Sequence, residues 1–74
     1  MDSGTKEYKA EYKGYVIHVF CRTIKAGLHM ASCAIWEDGA IVQDARAIGS
    51  QHATPDEAKA AAYAWARKWI DGNS

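Results

Sequence analysis

The sequence predicts an α+β domain in which a three-stranded antiparallel meander carries one C-terminal helix across one face, in the order β-β-β-α. Three observations lead there. Residues 54–72 hold a helix start signal, an apolar stripe and a stop signal. Tyr15 to Arg22 is dense in β-branched and aromatic residues and uniformly apolar at every second position. Glu37-Asp38-Gly39 is a strong turn signal between two further strand-like stretches.

The helix is the best-marked element. Thr54 is a good N-cap, because its hydroxyl accepts from a free backbone N–H of the first turn. Glu57, three residues on, completes the sequence of a capping box. Pro55 falls at the first helical position, where its missing N–H costs nothing. Asp56 and Glu57 place negative charge at the positive end of the helix dipole. The alanines at 58, 60, 61, 62, 64 and 66 favour helix intrinsically. Spacing by three and four puts Ala58, Ala61, Ala62, Trp65 and Trp69 on one stripe, and Gly72 suits the C′ position. Burial of each indole is expected to contribute roughly 2–3 kcal/mol if small partners make room.

Upstream, residues 1–11 are expected to form a flexible tail ahead of a single domain at 12–74. Glu7-Tyr8-Lys9 and Glu11-Tyr12-Lys13 repeat at four residues, but two copies define no repeat architecture. Gly14 supplies the conformational freedom to turn into the first strand. Along that strand Tyr15, Ile17, Val19 and Cys21 face one way, and Val16, His18, Phe20 and Arg22 the other. Thr23 to Gly27 is a hairpin loop, Leu28 to Trp36 the second strand and Ala40 to Ile48 the third. Gly49 to Ala53 links the third strand to the helix.

Register at the second hairpin decides which residues face the core. A two-residue Asp38-Gly39 turn puts Ile41 on the Trp36 face; a three-residue turn with Gly39 as a bulge pairs Ile41 with Ile35. The second gathers Ile17, Val19, Cys21, Ala31, Cys33, Ile35, Ile41, Ala45 and Ala47 on one side, with Gln43 and His29 as the polar exceptions. The strand alanines then become the small partners of Trp65 and Trp69.

Seventy-four residues make one domain with one core. At this size about 60% of the unfolded surface is buried, so stability is marginal and self-association would help. Nine basic and nine acidic side chains cancel, which lacks the basic excess of a strong nucleic-acid binder. No apolar run approaches a membrane span, and no membrane partner is expected. Two cysteines without a signal peptide point to reduced thiols in a cytoplasm.

With the helix on one face, the opposite face is open. In the chosen register it carries His18, Phe20, Arg22, Met30, Trp36, Asp44, Arg46 and Ile48. Phe20, Met30 and Trp36 together exceed the apolar patch of most monomers, so a partner is expected. The first expectation is a homodimer, or coverage by the N-terminal segment through Tyr8 and Tyr12. The second is a protein or peptide. The third is nucleic acid, with Phe20 and Trp36 stacking on bases and Arg22, Arg46 and His18 near phosphates. Asp44 and the absence of lysine disfavour it. Lys59, Arg67 and Lys68 are basic contacts for a phosphate backbone in that case, and otherwise a solvated helix face.

Cys21, Cys33, His18, His29 and His52 invite a metal reading, with Cys21 and His29 roughly opposite on paired strands. No CxxC or HxxxH spacing accompanies them, so no metal or cofactor is expected. The cysteines fall about four ladder positions apart, too far for a disulfide. No GxSxG, P-loop or carboxylate pair is present, and a single-layer domain has few ways to exclude water from a pocket. The expectation is a non-enzymatic interaction module.

Tyr12-Lys13-Gly14-Tyr15-Val16-Ile17-His18-Val19, Trp36-Glu37-Asp38-Gly39, Thr54-Pro55-Asp56-Glu57-Ala58 and Trp65…Trp69-Ile70-Asp71 together resemble a group of short bacterial proteins of unknown function. That resemblance covers about residues 12 to 71 and implies a fold without an activity. The β-β-β-α order also resembles the later part of a double-stranded RNA-binding domain, which would imply nucleic-acid binding. The lysine cluster of that family's last helix is replaced here by Pro55-Asp56-Glu57-Ala58. A small sheet followed by Thr54-x-x-Glu57-Ala58 is similar to HicB-type antitoxins, which implies the fold alone.

Overall fold

A computed structural model describes residues 5–25, 27–46, 48–49 and 51–73. Four strands and one helix follow in order: β1 (Thr5–Tyr12), β2 (Tyr15–Lys25), β3 (Leu28–Glu37), β4 (Ala40–Ala45) and α1 (Pro55–Asn73). The strands form one antiparallel sheet in sequential order, and α1 packs on β2 and β3. The α+β class with a C-terminal helix is as expected, but the meander has four strands, not three.

The additional strand comes from the segment expected as a tail. Tyr8 and Tyr12, four residues apart, are two strand repeats apart and share a face. They pair with Val19 and Tyr15 and pack against the core. They therefore lie on the helix side and do not cover the open face. Glu7, Lys9 and Glu11 point the other way, opposite Phe20, His18 and Val16. Alternation that reads charged on one face and tyrosine or alanine on the other is a strand pattern hidden by its polarity.

Two tight turns set the register. Lys13 and Gly14 between β1 and β2, and Asp38 and Gly39 between β3 and β4, all have positive φ, at 52°, 86°, 54° and 80°. Positive φ at both central residues is the two-residue hairpin geometry whose twist matches that of the strands. The three-residue turn is thus corrected: Glu37 pairs with Ala40 and Trp36 with Ile41, and the ladder shifts between Ile35 and Trp36 so that Ile35 meets Gln43. The extra residue is Val42, in the strand and not at the turn. Ile41, expected in the core, lies on the Trp36 face and is 52% exposed. Gln43 and Ala45 keep the core-side parity. Ala47 lies outside the described residues.

On the helix side Tyr15, Ile17, Val19, Cys21, Ala31, Cys33 and Ile35 are buried, as the alternation predicts. They meet Ala58, Ala62, Ala66 and Ile70 of α1, all with zero exposure. The buried row steps by four and includes neither indole. Trp65 and Trp69 flank it, half-buried against the core, and Trp69 meets Tyr15 edge to face at 6.2 Å and 88°. Small residues on the helix thus face large ones on the sheet, the reverse of the expected arrangement. Alanine lets the helix axis come close, so that Ile17, Val19 and Ile35 close-pack beneath it.

The helix ends behave differently from each other. Glu57 N donates to Thr54 Oγ1 at 3.1 Å, as the cap predicts. Gly72 lies inside the helix without a positive φ, and Asn73 Nδ2 donates to the Trp69 carbonyl at 2.8 Å. Between β4 and α1 the chain stays tied to β3. Ile48 N donates to Ala31 O at 2.8 Å, and His29 and His52 exchange backbone bonds of 2.9 and 2.8 Å. Gly49 has φ +70°, and a Cβ there would stand 2.9 Å from the His52 ring.

Candidate sheet-face interaction site

The period of two in β2 and β3 builds the site. The antiparallel ladder between them sets the register, so their outward residues form rows across the sheet. Val16 stands opposite Trp36, His18 opposite Ala34, Phe20 opposite Ser32 and Arg22 opposite Met30. β1 extends the rows with Glu11, Lys9 and Glu7. β4 extends the first two with Ile41 and Asp44.

The centre of the face is aromatic. The His18 ring lies 5.4 Å from the Trp36 ring, tilted by 38°. His18 Nδ1 also sits 3.3 Å from Glu7 Oε2, which ties the imidazole to the β1 rim. Val16, Phe20, Met30 and Trp36 are half-buried among their neighbours on a face that no element among the described residues covers. Around them stand Glu7, Glu11 and Asp44 against Lys9 and Arg22, so both signs of charge frame the patch.

Of the residues expected on this face, His18, Phe20, Arg22, Met30 and Trp36 share it. Ile48 does not. It is 8% exposed within the core cluster, and its N–H donates to the Ala31 carbonyl of β3. Arg46 is exposed just past the end of β4. Ile41 and the β1 charges belong to the site without having been foreseen. The signal for the charges was present in the alternation of residues 7 to 12.

The expected basic contacts separate. Lys59 Nζ lies 4.4 Å over the Tyr8 ring centroid, a cation–π contact that holds it against β1. Arg67 and Lys68 are exposed. No single basic stripe results.

The cysteine and histidine candidates also disperse. His29 pairs with Thr23, not with Cys21, and Cys33 stands opposite Val19, two ladder positions from Cys21 and not four. Both cysteines are buried free thiols. Burial pushes the Cys33 thiol up to about 11 and raises that of Cys21, so neither is a thiolate at neutral pH. A cavity of about 40 Å³ is lined by Lys6, Cys21, Thr23, His29 and Pro55. Its imidazole is engaged by the Thr23 hydroxyl at 3.2 Å, while the His52 Nε2–H donates to the Ile48 carbonyl at 2.8 Å. Among the described residues no three histidine, cysteine or carboxylate side chains converge as metal ligands. No helix among them is long and apolar enough to cross a membrane.

No curated protein and no solved structure shows significant similarity to the chain. The model of the family described as "Domain of unknown function (DUF6566)" matches residues 5–74, which is β1, the rest of the sheet and the helix together, and the chain belongs to that family.

Proposed function

We propose that the protein is a small, non-enzymatic interaction module whose open sheet face is the docking surface, in the first instance for a second copy of itself. The observation that carries this is the placement of Val16, Phe20, Met30, Trp36 and Ile41 side by side on a face that α1 leaves bare. An apolar patch of that kind with a charged rim is the anatomy of an association surface. A 74-residue chain also gains stability from association that its own small core does not supply. Free, protonated thiols suit a cytoplasmic setting.

Nucleic acid is the weaker reading. Arg22 and the Trp36 ring favour it, but Glu7, Glu11 and Asp44 share the face, and a polyanion selects surfaces with a basic excess.

The test follows backbone amide shifts while the protein is diluted from millimolar to low micromolar. Shifts that move with concentration at Val16, His18, Phe20 and Trp36, and that vanish in a folded Trp36→Lys variant, are expected. Unchanged spectra over the whole range would remove self-association. Salt-dependent movement of the same residues on adding single-stranded RNA would replace it with the nucleic-acid reading.

A further inference from the structure

We infer that the second copy docks face to face about a two-fold axis running parallel to the strands between β2 and β3, with Lys9 of each copy against Asp44 of the other. This rests on the open-face reading and specifies its geometry. The register supplies two independent observations, one of size and one of charge.

The first is size. An axis along the strands lays β2 of one copy over β3 of the other without moving a residue from its row. The rows then bring His18 over Ala34, Phe20 over Ser32, and Trp36 over Val16. Each of these three rows places its larger side chain on one strand and its smaller on the other, so each projection there meets a recess, while the Arg22 and Met30 row, large on both strands, lies at the end of the contact. Two sheets related by this axis and stacked about 10 Å apart keep their strands aligned, and the correspondence is closest near the axis, which is where these residues lie. Isologous contact requires such self-complementarity: what one copy offers from β2, the other receives on β3.

The second is charge. Lys9, His18, Ala34 and Asp44 form one continuous row across all four strands. Its two ends carry opposite charge, and both end residues are exposed. The same axis lays β1 over β4, which sets each Lys9 against an Asp44 and makes the contact twice. An axis perpendicular to the strands and passing through this row would instead stack β1 on β1 and oppose lysine to lysine and aspartate to aspartate. The face spans roughly 14 Å across its strands and 20 Å along them. That is below the roughly 800 Å² per partner of a standard interface, so the dimer is weak and the measurement belongs at micromolar concentration and above.

The experiment is a charge exchange read by sedimentation equilibrium. Lys9→Asp alone places like charges at both contacts, as does Asp44→Lys alone. Each variant is expected to dimerise at least about tenfold more weakly than the native chain. An equimolar mixture of the two restores both opposite-sign contacts, and is expected to associate as the native chain does and to weaken with added salt. Both positions are exposed; Lys9→Glu and Asp44→Arg give the same reversal, and far-UV circular dichroism checks folding. Single variants that dimerise like the native chain, or a mixture no stronger than either alone, overturn the axis while leaving the open face to its Trp36 test. A native chain that stays monomeric throughout overturns both.

Discussion

Asp71 stands in the last turn of α1, where the helix dipole disfavours a negative charge. The β1–β2 turn offsets this. Lys13 Nζ lies 2.8 Å from Asp71 Oδ1, and the Tyr12 hydroxyl donates to the same oxygen at 2.9 Å. Hydrogen bonds from Lys13 and Tyr12 hold the carboxyl below the usual carboxylate range. The folded chain then binds fewer protons than the unfolded one, so this contribution is complete above the ordinary carboxylate pKa and fades as pH falls through the lowered value. The same contacts raise Tyr12 and Lys13, so their share is complete below their ordinary values and is lost as pH rises through the raised ones. In Asp71→Asn, the acid limb of a plot of urea midpoint against pH is expected to be shallower than in the native chain. A partnership across 59 positions was beyond reach from sequence, because local pattern carries no information about it. The Thr54 cap, whose donor lies three residues away, was legible for the opposite reason.

At the scale of the element, the limits of α1 were legible and its buried face was only half so. Residues 65 and 66, like 69 and 70, differ by one step of about 100° around the helix, so both candidate stripes fit the periodicity. The mass of Trp65 and Trp69 drew the expectation toward them. Packing favours the Ala58, Ala62, Ala66 and Ile70 row, since only small residues let the helix lie close over Ile17, Val19 and Ile35. Ile70→Ala is therefore expected to lose about 2–5 kcal/mol in urea denaturation, and Ala66→Leu about 1–3 kcal/mol by overpacking. Had the indoles formed the seam, both changes would be nearly silent. The Asp38-Gly39 turn was recognised but given one residue too many. The bulge that parity demanded exists, yet it falls at Val42, and nothing local distinguishes the two positions.

At the scale of the molecule, the class and the two sides of the sheet followed from the alternation in β2, whereas the number of strands did not. Glu7, Lys9 and Glu11 gave residues 5–12 the composition of a tail, although Tyr8 and Tyr12 complete the core from the edge. Removal of residues 1–11 would strip β2 of its ladder partner and uncover Ile17 and Val19. The truncated chain is expected to melt more than about 10 °C lower by circular dichroism, or to lose its cooperative transition; removal of a true tail would leave the melt unchanged. The candidate site was legible on β2, on β3 and at Asp44, and it was missed at Glu7, Lys9, Glu11 and Ile41, where register and not composition decides the facing. The stitched passage from β4 to α1 has a further effect. In small proteins a terminal helix on a slack hinge is the piece that neighbouring chains trade. Here His29 and His52 clasp each other's backbone, Ile48 is pinned to Ala31, and the His52 ring closes over Gly49. These bonds fasten the described part of the linker to β3, so any copies that meet are expected to do so without trading helices.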